Sequence, residues 1–260
     1  MTPPQSLDLG LEGRVAIVTG AASGIAAASV SLLADAGARV VGSDVNADGL
    51  RRTMEALSDP KRHRAVIADV ADPEAAAAIK GEAERSYGRI DILVNAAGML
   101  RRENYLDMTP ADFMRIVDIN LRSQFLLCQA VLPMMRRARW GRIVNFTSPG
   151  AFLGVRTRAA DYIGYSVSKA GLLGLTRSIA RAYGPENICA NLISPGTVDT
   201  PMGRQEHDQA SLAALVASTP LGRTAMPGEI AHGVVFLASA WASYVNGHVL
   251  VMDGGATMHG

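Results

Sequence analysis

The sequence is poor in cysteine, in aromatic residues and in net charge. Its 260 residues include 2 cysteines and 5% aromatics, and the formal net charge is +1. The two isolated cysteines, Cys128 and Cys189, exclude a disulfide framework and favour a reducing compartment, so we expect a cytoplasmic protein. A net charge this close to zero provides no broad basic surface, so we expect neither nucleic acid nor a membrane as a partner.

Membrane-spanning and targeting segments are missing as well. No stretch approaches the roughly 18 uncharged apolar residues that would cross a bilayer. Residues 1–10 lack the basic-then-apolar pattern of a signal peptide and are predicted to be an N-terminal extension. The 5 histidines are scattered without metal-ligand spacing, so we expect no metal site.

Lysine is scarce, while arginine is abundant. The chain has three lysines, Lys61, Lys80 and Lys169, against 22 arginines. Where either base would serve, this chain carries arginine. A lysine that remains therefore indicates a need for a compact ammonium group, which a guanidinium cannot replace.

Short apolar runs alternate with helical patterns along the chain. The runs begin near residues 14, 39, 64, 90, 142, 188 and 248. This alternation predicts an α/β fold: a single-domain, Rossmann-like, doubly wound parallel sheet of about seven strands, with helices on both faces, over residues 1–260. The longest helix is expected over residues 110–139. Residues 196–220 are predicted to be an irregular substrate-binding loop region.

A glycine-containing turn follows the first predicted strand. Gly20 permits a tight turn, and Gly24 lets a pyrophosphate approach the backbone at the start of the next helix. The alternative is an ordinary glycine turn in a glycine-rich chain. The position between the first strand and the first helix favours a nucleotide site, because the dinucleotide fingerprint occurs there.

Two aspartates end the next two predicted strands. The carboxylate of Asp44 can accept hydrogen bonds from an adenosine ribose and would repel a 2′-phosphate, which favours NAD over NADP. The competing interpretation is that Asp44 caps the following helix while Arg51 or Arg52 holds a phosphate. Asp69 is placed to meet the adenine amino group, unless it is only a loop aspartate.

Tyr165 and Lys169 carry the main chemical signal. Four residues apart on a predicted helix, they lie on one face. A nearby ammonium stabilises a phenolate and lowers its pKa, so the pair can act as a general acid and base for an alcohol and a ketone. On this motif alone, a surface contact remains the alternative.

Seven motifs in order resemble the short-chain dehydrogenase/reductase family over nearly the full length of the chain. They are Thr19-Gly20-xxx-Gly24-Ile25, Asn95-Ala96-Ala97-Gly98, Asn120, Ser148, Tyr165-xxx-Lys169, Pro195-Gly196-xxx-Thr200 and Asp253-Gly254-Gly255. The chain departs from the family pattern at Ala26 and Ala96, each in place of a commoner residue. It also has a lengthened segment between Ser148 and Tyr165, which reshapes one wall of the substrate pocket.

The resemblance implies four catalytic residues. Tyr165 would be the acid and base, and Ser148 would polarise the substrate carbonyl. Lys169 would bind the nicotinamide ribose and lower the pKa of Tyr165, while Asn120 would hold a water that links Lys169 to solvent. Without the resemblance to this family, the favoured interpretations are that Asn120 is a buried polar residue and that Ser148 is a turn residue. The expected cofactor contacts are Gly20, Ser23, Gly24, Ile25, Asp44, Asp69, Val70, Asn95, Ala96, Gly98, Tyr165, Lys169, Pro195, Gly196, Val198 and Thr200.

The substrate cleft is expected between residues 99–108, 149–164 and 201–220. Four arginines in the first two segments could grip a carboxylate, or could be solvated or in subunit contacts: Arg101, Arg102, Arg156 and Arg158. The pattern at the first pair is similar to that of family members that act on sugar acids.

The sequence therefore predicts an NAD-dependent oxidoreductase of a secondary alcohol or ketone, with a sugar acid or a polyol as substrate. The alternatives are a 3-oxoacyl thioester reductase that uses NADPH, and a non-catalytic protein that senses NAD(H). The family also implies a homotetramer, formed through the helices predicted after residues 110 and 165.

Overall fold

The computed structural model of the protein describes residues 8–101, 104–154, 162–206 and 208–258. Within them, seven strands form one sheet: β1 (Val15–Thr19), β2 (Arg39–Asp44), β3 (Arg64–Ile67), β4 (Ile92–Asn95), β5 (Gly141–Phe146), β6 (Ile188–Pro195) and β7 (Val249–Met252). Their order is β3-β2-β1-β4-β5-β6-β7, and all neighbours are parallel. The predicted doubly wound sheet is confirmed, and its strand order reverses between β1 and β4, where such sheets bind ligands.

Helices cover both faces of the sheet. In the same ranges they are α1 (Gly24–Asp35), α2 (Ala47–Glu55), α3 (Ala75–Tyr87), α4 (Pro110–Val117), α5 (Ser123–Ala138), α6 (Gly150–Leu153), α7 (Ile163–Tyr183), α8 (Pro201–Glu206), α9 (Gln209–Ser218) and α10 (Pro227–Ala238). The core on one face joins α1, α2 and α10, and the core on the other joins α3, α5 and α7. None of the helices in the described ranges is long and apolar enough to cross a membrane.

The central strand β1 shows why a short apolar run in this sequence forms a strand. Ala16 and Val18 pack into the core under α1 and α10, whereas Val15 and Ile17 pack into the core under α3 and α5. All five residues of β1 are buried. A parallel strand that is covered on both faces needs a continuous apolar run, which is the pattern seen in the sequence.

The single helix predicted over residues 110–139 is interrupted. Its first part, α4, gives way to a π turn at Asp118–Arg122, and α5 starts at Ser123. A π turn inserts one extra residue into a helix. The apolar spacing of this segment does not reveal that insertion, so the sequence predicted a regular helix.

The region over residues 196–220, predicted to be irregular, contains the helices α8 and α9. Asp208 begins α9 by accepting a hydrogen bond from the Ser211 N–H at 2.7 Å. None of the ten residues of α9 is charged or fully buried. The helix therefore lacks the contrast between a polar and an apolar face by which sequence patterns indicate helices.

Candidate active site

At the carboxyl end of the sheet, the turn after β1 has backbone atoms that side chains do not cover. Gly20 has φ +74°, and a Cβ atom there would lie 2.9 Å from the backbone nitrogen of Ala97. Only glycine fits such a position. The side chain of Ser23 makes no capping hydrogen bond to α1, whose first turn contains Ile25 and no acidic residue. The first N–H groups of α1 are thus open to an anion, and the turn fits the pyrophosphate of a dinucleotide.

Asp44 lies beside this turn. Its Oδ2 atom accepts a hydrogen bond from the Ala22 N–H at 3.0 Å, and Oδ1 accepts one from the Asn46 N–H at 2.8 Å. The cap of α2 is Asn46, whose side chain accepts a hydrogen bond from the Gly49 N–H at 3.0 Å. The interpretation of Asp44 as that cap is therefore wrong. Each carboxylate oxygen of Asp44 keeps a second lone pair for a ribose hydroxyl.

Asp69 and Val70 lie in the loop that follows β3. Asp69 Oδ1 accepts a hydrogen bond from the Ala71 N–H, and Oδ2 accepts one from Arg115 Nη2, both at 2.9 Å. The hydrogen bond from Arg115 is the main reason why the pKa of Asp69 lies below its ordinary value. Sequence reasoning did not find Arg115, since it lies on α4. The lone pairs left on Asp69 are sufficient for an adenine amino group, so that role stays a prediction.

The turn after β4 packs against the turn after β1. Thr19 Oγ1 accepts a hydrogen bond from the Ala97 N–H at 3.1 Å, and Ala96 is half-buried beside Gly20. The side chain of Asn95 is fully buried and donates to Asn145 Oδ1 on β5 at 2.8 Å. Asn95 therefore shapes the site by holding β4 to β5, and its side chain points into the core.

Ser148 and Tyr165 come together near the carboxyl end of β5. Ser148 follows that strand by two residues, and Tyr165 lies in the first turn of α7. Burial raises the pKa of the Tyr165 phenol above its ordinary value, and a hydrogen bond with Ser148 lowers it by a smaller amount. Ser148 is also a turn residue, because its Oγ accepts a hydrogen bond from the Gly150 N–H at 3.2 Å.

Lys169 lies one helical turn beyond Tyr165 and is 5% exposed. Its Nζ atom donates to the Phe146 carbonyl oxygen at 2.9 Å and lies 5.6 Å from the centre of the Tyr165 ring. Burial lowers the pKa of Lys169 from 10.5 to about 8. We expected this ammonium to lower the pKa of Tyr165. Burial is instead the dominant influence on that phenol, and it raises the pKa of Tyr165 above its ordinary value.

Asn120 lies in the middle of the π turn and is completely buried. Its Oδ1 atom accepts a hydrogen bond from the Met99 N–H at 2.8 Å, while Nδ2 donates to the Met99 carbonyl at 2.9 Å and to Ser168 Oγ at 3.1 Å. Gly98 separates Asn120 from Lys169, since a Cβ atom there would lie within 3.7 Å of both side chains. The amide hydrogens of Asn120 are therefore occupied, and of the side chain only Oδ1 can accept a further bond from a relay water.

The segment after β6 returns to the glycine turn. Pro195 ends β6, Gly196 is hydrogen-bonded to the end of β7, and Val198 forms an isolated bridge with the segment before α10. A Cβ atom on Gly24 would lie 3.2 Å from Thr200 Cγ2. Thr200 thus lies directly against the predicted pyrophosphate site, which is the side expected of a nicotinamide contact.

One of the four arginines considered for an anionic substrate can be located. Arg101 pairs with Asp112 at the start of α4. That carboxylate also accepts a hydrogen bond from the Thr109 hydroxyl, so the ion pair belongs to the cap of α4. The other three lie outside the described residues, as do residues 155–161 of the lengthened segment between Ser148 and Tyr165.

Two residues that support the site were missed in the sequence. Ser168 Oγ donates to the Tyr165 carbonyl at 2.7 Å, and Thr147 Oγ1 donates to the Lys169 carbonyl at 3.0 Å. Both are small buried hydroxyls without a charge or a distinctive spacing. Their only sequence signal is that each adjoins a predicted catalytic residue.

Comparisons with known proteins agree with this geometry. Residues 20–257 match a family described as enoyl-(acyl carrier protein) reductase. The chain is 41% identical to D-threitol dehydrogenase of Mycolicibacterium smegmatis, over 99% of this chain and 100% of that one. It is 37% identical to 3-oxoacyl-[acyl-carrier-protein] reductase FabG of Vibrio cholerae, over 96% and 100%. The solved structure of levodione reductase matches with a TM-score of 0.89 and 33% identity, over 95% and 99%.

The chain belongs to the short-chain dehydrogenase/reductase family. It is an oxidoreductase that acts on CH–OH groups and their ketones, and its fold binds a nicotinamide cofactor. This confirms the resemblance and the class of reaction expected from the sequence.

Proposed function

We propose that the protein is an NAD-dependent dehydrogenase of a secondary alcohol in a polyol, working through Ser148, Tyr165 and Lys169. The main support for this mechanism is the hydrogen bond between Ser148 and Tyr165, which lies beside the buried ammonium of Lys169. Ser148 positions the substrate hydroxyl, and Tyr165 takes up its proton during oxidation. Bound NAD supplies the hydride acceptor. The positive charge of Lys169 favours the phenolate form of Tyr165 during the reaction.

The carboxylate of Asp44 supports NAD. Two negative groups at about 4 Å repel by roughly 4 kcal/mol at an effective dielectric of about 20, so a 2′-phosphate beside Asp44 is disfavoured. Arg51, one candidate for holding that phosphate, pairs with Asp48 and Glu55 on its own helix. Arg52 is exposed on the same helix.

A polyol is favoured over a sugar acid by two observations. D-threitol dehydrogenase, a relative at 41% identity, has a polyol in its name. Arg101, one of the arginines that could grip a carboxylate, is paired with Asp112. The FabG relatives make a 3-oxoacyl thioester reductase the rival, and that reaction would require a preference for NADPH in the assay below.

The test is turnover with each cofactor, followed by the absorbance of the reduced nicotinamide. The substrates are D-threitol, gluconate and acetoacetyl-CoA. We expect oxidation of the polyol with a kcat/KM for NAD about 10²-fold or more above that for NADP. Asp44→Ala should remove most of that ratio. Asp35→Ala, which removes an exposed carboxylate at the end of α1, should leave it unchanged.

Three outcomes would overturn all or part of this assignment. Preferential reduction of acetoacetyl-CoA with NADPH would establish the rival enzyme. Tight NAD binding without turnover of any alcohol or ketone would favour the NAD(H)-sensing protein. A wild-type preference for NADP would show that Asp44 does not select the cofactor.

The predicted single domain, homotetramer and cytoplasmic location belong to the same proposal. Phe125 on α5 and Val167 on α7 are 46% and 47% exposed, and a groove between these helices is lined by Leu132, Pro133 and Leu175. Such an apolar face is suited to a second copy of the chain. Light scattering at micromolar concentration should give a tetramer, and a monomeric mass would contradict it.

Both cysteines are buried free thiols, which is compatible with a reducing compartment.

A further inference from the structure

Arg122 closes the π turn that carries Asn120. Its Nε atom donates to Asp118 Oδ1 at 2.7 Å, so the last residue of the turn is tied to the first. The backbone follows the same register, since the Ser123 N–H donates to the Asp118 carbonyl across five residues. A π turn is rare and less favourable than regular helix, and it persists only where surrounding contacts hold it.

The same guanidinium also holds the loop after β3. Arg122 Nη2 donates to the Ala71 carbonyl oxygen at 2.9 Å. Ala71 is 8% exposed, and its N–H is bonded to Asp69 Oδ1. A second hydrogen bond, from the Asp72 N–H to the Asp69 carbonyl at 2.9 Å, closes this loop into a compact turn. One side chain therefore links the loop at residues 69–72 to the π turn.

The opposite side of the π turn faces the catalytic residues. Asn120 is bonded to the backbone of Met99 and to Ser168 Oγ, and Ser168 is bonded to the Tyr165 carbonyl. A shift of the π turn would consequently move the partner of Ser168 and change the side chains packed around Gly98. Lys169 Nζ lies on the other side of that glycine.

We propose that Arg122 is a positioning residue, which fixes the π turn and transmits the placement of the loop at residues 69–72 to Asn120. The second part rests on the proposed function, because it assumes that the adenosine of the cofactor lies against this loop. Arg122 touches neither substrate nor reacting atoms. Its effect on the site comes from holding Asn120 at its place in the π turn.

The need for arginine follows from the two bonds. Nε and Nη2 lie at fixed positions on one planar group, and they reach a carboxylate on the turn and a carbonyl on the loop together. A lysine ammonium at the same place can reach one acceptor, but it cannot hold both in a fixed relation. Arg122→Lys therefore separates this positioning role from charge alone, and Arg122→Met removes both.

The first measurement is amide hydrogen exchange of residues 118–124 in the protein without added ligand. We expect Arg122→Met to exchange about 10-fold faster than wild type in this segment, and Arg122→Lys to lie between them. The control is Arg51→Met, which removes an exposed arginine with two acidic partners on α2. It should leave exchange at residues 118–124 unchanged.

The second measurement adds NAD and follows binding by calorimetry alongside exchange. In wild type, NAD should slow exchange at residues 118–124. In Arg122→Met it should bind within about threefold of wild type, yet leave that exchange fast, because the link to the loop is lost. In turnover, kcat should fall about 10-fold, and the acid limb of its pH profile should move to higher pH as Lys169 supports the phenolate less well.

The possible failures can be told apart. If wild type does not bind NAD, the proposed function fails together with the part of this inference that concerns the adenosine. If Arg122→Met has wild-type exchange at residues 118–124 without ligand, Arg122 does not position the π turn. A lowered melting temperature with an unchanged pH profile and an unchanged response to NAD would indicate a role in stability alone and would overturn the proposal.

Discussion

Arg142 at the amino end of β5 and Lys169 beside its carboxyl end are both buried cations, 1% and 5% exposed. Arg142 donates to the carbonyl oxygens of Gly141 and Asn187 and stacks on the ring of Trp140. Lys169 donates to the Phe146 carbonyl. The guanidinium cannot lose its proton in the range of pH where proteins fold, whereas the ammonium has its pKa lowered to about 8. The chain thus has arginine where a buried charge has a structural role, and lysine where the buried charge must be able to gain and lose a proton.

The amino end shows the same difference in its acidic group. Asp91, immediately before β4, is fully buried and accepts hydrogen bonds from the Val15 N–H, from Arg14 and from Arg89. The bonds from Val15 and Arg14 hold the start of β4 to β1, and the bond from Arg89 fixes the segment before β4. At the carboxyl end the Asp44 and Asp69 carboxylates are partly exposed and keep lone pairs for a ligand. We therefore expect substitutions at the two ends to affect different properties.

The largest effect should come from Tyr165→Phe at the carboxyl end. The phenol oxygen is the proposed proton carrier, while the ring of phenylalanine packs in the same space. Turnover should fall by at least about 10²-fold, with NAD binding and the melting temperature nearly unchanged. Steady-state kinetics and calorimetry on the same preparation test this, with Tyr162→Phe as the matched control. A near-normal rate in Tyr165→Phe would contradict the mechanism.

The amino end should respond in stability instead, and Arg142→Lys tests this. A lysine keeps the charge but loses the stacking on Trp140, and it leaves at least one carbonyl oxygen without the donor that Arg142 supplies. We expect the free energy of unfolding to fall by about 2 kcal/mol. Urea unfolding measures that loss, and kcat per folded molecule should stay at the wild-type value. A reduced kcat with unchanged unfolding would remove the distinction between the two ends.

The central elements of the fold could be predicted because their sequence signals are local. Each buried strand has its own apolar run, and the glycine turn lies in the only register the fingerprint allows. The π turn could not be predicted, because it depends on Arg122 reaching a carbonyl 51 residues earlier in the chain. The pairing of Asp69 with Arg115 spans 46 residues and was missed for the same reason.

The site was predictable in its residue types but not in its electrostatics. The spacing of Tyr165 and Lys169 placed both side chains on one face of α7. It did not indicate how far each would be removed from water, and burial is what raises the pKa of Tyr165 and lowers that of Lys169. Solvent exclusion depends on every element packed around the pair, which no short motif records.

A change in stability of the opposite sign, no larger than that of Arg142→Lys, is expected from Lys169→Met at the carboxyl end. A buried ammonium with its pKa lowered from 10.5 to about 8 destabilises the folded state at neutral pH by about 3 kcal/mol. Loss of its bond to the Phe146 carbonyl offsets about 1 kcal/mol. The inactive variant should therefore be about 2 kcal/mol more stable than wild type at pH 7. Between pH 8 and 10.5 the unfolded wild-type chain holds a proton that the folded chain has lost.

The stability of wild type should consequently rise relative to the variant as the pH increases through this window. At pH 9.5, about 1.5 units above the lowered pKa, wild type should have regained about 2 kcal/mol, so the two proteins should unfold at nearly the same urea concentration. Urea unfolding of both at pH 7 and 9.5 tests this directly. A constant difference between them, or a variant that is less stable at pH 7, would contradict this prediction. It would mean that burial of the Lys169 ammonium lowers the free energy of unfolding no more than burial of the Arg142 guanidinium does. The contrast between the two ends of the sheet would then rest on geometry alone.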